Sequence, residues 1–265
     1  MSDVSLVIDD LARESEELDG LVAELDANGW ARATPAPGWT IAHQIAHLAW
    51  TDRCAVSAVT DPEAFAAELE KALASFGTWV DEAAQAGAVL PPDRLLAQWR
   101  EGRAALDRAL RAAPSGSRFP WFGPPMAAAS MATGRLMETW AHGLDVADTL
   151  GVVRTPTDRL RHVARIGVRA RDFAFGIRGW EAPGEEFRVE LVAPSGHEIW
   201  TYGPPEAAQR VTGPALDFCL LVTRRAHRAD LALRAEGPDA DRWLDIAQAF
   251  AGPPGAGRDP RGATR

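Results

Sequence analysis

Apolar residues recur at spacings of three and four over residues 4–28 (Leu6, Ile8, Leu11, Leu18, Leu21, Val22 and Leu25). That period predicts an amphipathic helix, ended by the turn chemistry of Asn28-Gly29. The segment ATPAPGW reads as a loop, and Thr40 is placed to cap a helix that begins at Ile41. Residues 61–86, rich in Ala and Glu, read as a third helix. Pro91-Pro92-Asp93 opens a fourth that runs to Ala113. Residues 114–125 are irregular, with Pro, Gly and aromatic residues interleaved (RFPWFGPP). A long helix then runs from Ala127 to Leu150 and stops at Gly151. The first 150 residues thus have the pattern of a four- or five-helix bundle.

Beyond that point the periodicity changes. Residues 157–177 still read as helix. FRVELVAP and HEIWTYG are short β-branched and aromatic runs joined by Ser195-Gly196, the signature of a hairpin. Residues 213–227 read as a helix, DLALRAEG as a strand and 239–250 as a short helix. The expected architecture is mainly α: a helical-bundle domain over 1–152, a small α+β domain over 153–252 and a disordered Gly/Pro/Arg-rich tail over 253–265.

Composition narrows the function classes. The chain has 265 residues, 46% of them hydrophobic, enough to bury a sizeable core. Its formal net charge of −9 would repel a phosphate backbone, so nucleic acid is not an expected partner. The densest basic cluster, Arg224, Arg225 and Arg228, reads as a solvated helix end. Two cysteines, Cys54 and Cys219, lie too far apart for a metal knuckle and read as small buried residues. No run approaches the roughly 20 apolar residues of a membrane span. The start, MSDVSLVIDDLARE, lacks the basic and apolar regions of a signal peptide, so a cytoplasmic location is expected. Oligomeric state stays open, a homodimer included.

Two helices carry the candidate chemistry. In WTIAHQIAHLAWTD, Ile41, Ile45 and Leu48 share one face, while His43, His47 and Trp50 share the opposite one within about 60°. A His-x-x-x-His pair can place two imidazoles on one metal ion; equally, one histidine can serve a buried polar contact while the other is solvated. Asp52 lies about 140° around the helix from His47 and is not counted as a ligand. In MATGRLMETWAHGLDVADTLG, Arg135, Glu138, His142, Asp145 and Thr149 form one stripe. Glu138 and His142, four apart, can reach one cation together, unless the stripe is simply the wet face of an amphipathic helix. A bundle can turn both faces inward, and a histidine from one helix with Glu and His from the other makes a typical catalytic zinc set with one place open. Asp145 is placed to orient His142 or to lie beside the open position. Trp50 is expected to line the pocket. Phe119-Pro120-Trp121-Phe122 reads as a lid or as a loop packed over the bundle end.

PGWTIAHQIAHLAWTD followed some ninety residues later by METWAHGLDVADTLG resembles the mycothiol-dependent maleylpyruvate isomerase family of the DinB-like superfamily. Trp39-Thr40, His47-Leu48 and Glu138-x-x-x-His142-Gly143-x-Asp145 carry the resemblance. It implies a DinB-like four-helix metal-binding domain, a smaller C-terminal domain, and His47, Glu138 and His142 as zinc ligands. His43 goes beyond the usual ligand set and is taken as a pocket residue. The resemblance also implies an arginine of the C-terminal domain that reaches the active site, which the run LDFCLLVTRRAH would supply as Arg224 or Arg225. The C-terminal half is similar as well to segments labelled tRNA-wyosine-forming, though the acidic charge speaks against an RNA function. The expected activity is that of a zinc enzyme using the thiol mycothiol to isomerise, or to transfer sulfur to, a small electrophilic substrate. The alternatives are a zinc hydrolase of a small amide or ester, with Asp145 or His43 as general base, and a non-catalytic metal-binding module.

Overall fold

The computed structural model describes residues 3–74, 77–253 and 255–262. Its chain forms two compact units, divided between Arg154 and Thr155. The first unit is helical: α1 (Asp3–Val22), α2 (Ala27–Trp30), α3 (Ile41–Thr60), α4 (Pro62–Ala74), α5 (Trp79–Ala88), α6 (Pro92–Ala112) and α7 (Ala128–Leu150), with a two-residue ribbon of β1 (Arg118–Phe119) and β2 (Met126–Ala127). Helices α1, α3, α6 and α7 are the bundle: α3 packs on α6 and α7, and α1 packs on α7 and α6. The core is built from the expected periodic positions, among them Leu18, Val22, Ile41, Ile45, Leu48, Leu95, Trp99 and Val146. Pro92 sits in the first turn of α6, where its missing N–H costs nothing, and Gly151 ends α7 in the left-handed conformation (φ 71°).

Charged side chains fix the helices relative to one another. Asp19 of α1 accepts from Arg100 (2.6 Å) and Arg103 (2.6 Å) of α6, and the Arg103 guanidinium stacks 4.0 Å over Trp99. Between α3 and α7 stands an ion pair, Asp52–Arg135, at 2.8 Å, with both side chains almost wholly buried. On the other flank of α3, a Cβ at Gly87 would come within 2.7 Å of the Ala46 Cβ, so only glycine permits that approach of α5.

The second unit contains α8 (Leu160–Arg169), α9 (Arg171–Gly176), β3 (Arg188–Val192), β4 (Ile199–Tyr202), β5 (Arg210–Pro214), α10 (Ala215–Val222), a 3₁₀ turn (Arg228–Asp230), β6 (Arg234–Glu236) and α11 (Pro238–Ile246). Its sheet runs β4-β3-β5-β6, with β3 and β5 parallel and the other pairs antiparallel. Val189, Leu191, Val211, Phe218 and Trp243 are buried there. No helix among the described residues is long and apolar enough to cross a membrane, and Cys54 and Cys219 are buried free thiols.

The mainly α architecture with an α+β C-terminal part is as expected, and so is the hairpin at Ser195-Gly196. Several boundaries differ. The first helix ends at Val22, because Asp26 accepts from the Gly29 N–H and starts a separate short helix. The expected helix over 61–86 is two helices: Gly77, at φ 102°, cannot continue α4, and Ser75 and Phe76 lie outside the described residues. Strand β5 had no signal, since RVTGP carries neither alternation nor a turn cluster, yet it pairs on both sides. Of the tail expected to be disordered, residues 255–262 include two contacts to the second unit: Arg224 Nη2 donates to Gly255 O (3.4 Å) and the Arg261 N–H to Asp230 (2.9 Å). Pro254 and residues 263–265 lie outside the described residues.

Removing Asp52 leaves a buried guanidinium without its counter-charge. Asp52→Ala should destabilise the protein by about 3–5 kcal/mol, measured by urea unfolding. A loss under 1 kcal/mol would mean that the α3–α7 pairing does not depend on this ion pair.

Candidate metal centre

Three ligand-type side chains meet between α3 and α7. His47 stands in the second turn of α3, and Glu138 and His142 are one turn apart on α7. One donor atom from each lies within 4.8 Å of the other two. Glu138 Oε2 is 3.4 Å from His47 Nε2 and 3.2 Å from His142 Nε2, and the two imidazole centroids are 4.6 Å apart. His47 is buried, while Glu138 and His142 are half-buried. Burial pulls the Glu138 carboxyl upward most strongly. Hydrogen bonds from His142 and His47, together with their charge, outweigh it and hold the group well below the ordinary carboxylate value. Glu138 is therefore ionised. Electron-rich atoms gather this closely only around a proton or a cation. Two imidazole nitrogens and one carboxylate oxygen suit a divalent ion of the zinc type, with a further coordination place unfilled.

Aromatic rings frame the cluster. Trp39 stacks on His142 (5.8 Å, 16° between planes) and lies 5.4 Å from His47. Trp50 lies 5.8 Å from His47 and packs edge-on against Trp79. Each indole N–H is held by a carboxylate: Trp39 donates to Asp81 (2.8 Å) and Trp50 to Glu68 (3.0 Å). Trp121 and Phe122 pack with Phe65, and Phe122 also meets Trp50 and Trp79. The Phe119–Phe122 segment is thus a loop packed onto this aromatic group.

The other sequence candidates have the following surroundings. His43 is committed to the start of α3: its Nδ1 accepts from the Thr40 N–H (3.2 Å), and its Nε2–H donates to Gln85 Oε1 (3.0 Å). Both ring nitrogens are occupied, the first by the capping contact at the start of α3. Asp145 is buried one turn past His142, but the partner on His142 Nδ1 is Gln44 Oε1. Arg224 and Arg225 belong to the second unit. Arg224 is the one non-glycine among the described residues with positive φ (61°), and Arg225 Nη1 donates to Thr223 O (2.8 Å). Gln44 and the stacking role of Trp39 were missed. The available signal was a fully buried glutamine inside an otherwise apolar and histidine-bearing run, IAHQIAHLA.

A four-helix bundle with two histidines and a glutamate converging between its helices defines a DinB-like fold. The chain belongs to the mycothiol maleylpyruvate isomerase family: the family model described as mycothiol maleylpyruvate isomerase N-terminal domain matches residues 11–147. A second model, described as wyosine base formation, matches residues 183–236. Two uncharacterized proteins of Mycobacterium tuberculosis, from strains CDC 1551 / Oshkosh and ATCC 25618 / H37Rv, are each 57% identical over 258 residues, covering 97% of this chain and all of the relative. Crystal structures of the mycothiol-dependent maleylpyruvate isomerase and of a histidine-to-alanine mutant of it share the fold, with TM-scores of 0.60 and 0.61. They are 18% and 19% identical to this chain and cover 89% of it and 95% of their own length.

If the three donors hold a cation, His47→Ala and Glu138→Ala should each weaken metal binding by roughly a hundredfold or more, beyond the loss expected for a residue that only orients a ligand. His43→Ala should keep the metal and lose about 1 kcal/mol of stability through its capping contact. Elemental analysis after dialysis, with thermal melts, checks both. Equal metal content in all four proteins would refute the assignment.

Proposed function

We propose that the chain is a metal-dependent enzyme that uses a low-molecular-weight thiol, mycothiol, either to isomerise a small electrophilic substrate or to join the thiol's sulfur to it, with His47, Glu138 and His142 as ligands of a zinc-type ion. The observation that carries this reading is the convergence of those three donors within 4.8 Å in a chain whose residues 11–147 match the mycothiol maleylpyruvate isomerase N-terminal domain. Two neutral imidazoles and one carboxylate leave about one positive charge on a divalent ion, and such a centre, when loaded, holds a thiol as its thiolate. The protein supplies the rest. Glu138, kept ionised, provides the single negative charge. Trp39 and Trp50 both pack against the buried His47. Their indole N–H groups are already engaged by Asp81 and Glu68, so what they offer an incoming molecule is flat apolar surface.

Cobalt-substituted protein titrated with mycothiol should show a new thiolate-to-cobalt absorption and a shifted visible spectrum. The same titration of Glu138→Ala should not. Mycothiol that leaves the spectrum of the loaded wild-type protein unchanged would remove the thiol from this reading, and turnover without added thiol would replace it by hydrolysis.

A further inference from the structure

We infer that Gln44 is a positioning residue: through Thr34 and the Trp39 carbonyl it fixes His142 in the tautomer whose bare nitrogen, Nε2, faces Glu138. The inference rests on the metal reading above for its use, but its geometry stands alone. The relay can be followed from a group whose role is not in doubt. A backbone carbonyl only accepts, and Trp39 O receives the Thr34 hydroxyl at 2.9 Å and the Thr34 N–H at 2.8 Å. The Thr34 hydroxyl has thereby spent its one proton, so towards Gln44 it can only accept. The end of the Gln44 amide that meets it at 2.8 Å must be the NH₂. The other end, which touches His142 Nδ1, is then the oxygen. An amide oxygen cannot donate, so Nδ1 carries a proton, and in the neutral ring Nε2 is the nitrogen with the free lone pair.

That lone pair is directed at Glu138 Oε2, 3.2 Å away. Two lone pairs facing each other repel unless a proton or a cation lies between them, so with the ring neutral the gap between His142 and Glu138 is receptive to a cation. Gln44 is fully buried, so water does not compete for its amide, and an orientation error would strand a buried polar group. His47 lacks such a partner: its Nδ1 is buried without a hydrogen bond among the described residues, and the rings of Trp39 and Trp50 pack against it instead. The same loop, residues 33–40, therefore supplies the face contact to His142 (the Trp39 ring) and, through the Trp39 carbonyl and Thr34, the edge contact.

The test uses the full-length protein in two arms. Long-range ¹H–¹⁵N spectra of metal-free protein, followed with rising pH until the ring is neutral, should show His142 as the Nδ1–H tautomer, with its signal assigned by its absence in His142→Gln. An Nε2–H tautomer would overturn the inference. In the second arm, Zn²⁺ affinity is measured by competition with a chromogenic chelator. Gln44→Leu should weaken binding about 10–100-fold. Gln44→Glu, which keeps an accepting oxygen on Nδ1 but loses the donor to Thr34, should lose less affinity than Gln44→Leu. Thr34→Val should loosen the amide and give a smaller loss, restored by Thr34→Ser. Equal affinity in wild type and Gln44→Leu would refute the role. Should Gln44→Leu not fold, the Gln44→Glu and Thr34 variants decide. Wild-type protein that binds no Zn²⁺ would defeat the proposed function, while the spectra would still judge the tautomer.

Discussion

The packing of α3 on α7 is the contact on which the site depends. His47 and Glu138 are ninety-one residues apart in sequence, and nothing local brings them together. The two helices meet through apolar surface, but apolar surface alone tolerates sliding by a fraction of a turn. Two polar contacts remove that freedom. The Asp52–Arg135 pair lies five residues beyond His47 on one helix and three before Glu138 on the other. The Gln44–His142 contact lies on the other side of the donors. The cluster is therefore held along the helix axes by directional interactions on either side of the His47–Glu138 contact.

Such a bracket has a cost that the rest of the bundle must offset. Glu138, Asp52 and Arg135 all sit where an unpaired charge would be strongly unfavourable. Each has an opposite or hydrogen-bonding neighbour, and the surrounding core of Ile41, Ile45, Leu48 and Trp99 supplies the hydrophobic stabilisation that holds the helices in place. The tryptophans contribute on both counts. They bury area, and they pack against His47, yet their N–H groups are satisfied by Asp81 and Glu68 at the periphery.

Much of this was legible in the chain. The 3.6-residue period gave the long helices, because each buries a continuous stripe; helical spacing paired Glu138 with His142, and the family resemblance singled out His47 to join them. What could not be read obeys no period. Strand β5 exists because β3 and β6 pair with it, and its own residues hold little preference. His43 and His47 are equivalent on a helical wheel; they part only because His43 lies in the first turn, where free backbone N–H groups claim its ring. Gln44 had no visible role, since its two partners, Thr34 and His142, are ten and ninety-eight residues away. The Nδ1 partner of His142 comes across the interface from α3, which no spacing within α7 could indicate.

Surface loops are ordinarily where protein chains gain and lose residues without harm. The stretch from Ala33 to Thr40 is an exception. Its ends are joined by a bridge between Ala33 and Thr40, the Ile41 N–H returns to Arg32 O, and within it Trp39 and Thr34 are locked to each other. One extra residue anywhere inside would rotate the indole off His142, detach the hydroxyl from Gln44 and shift the cap of α3 in a single stroke. Its length, more than the identity of its prolines and alanines, is the part of this segment that descent cannot freely alter.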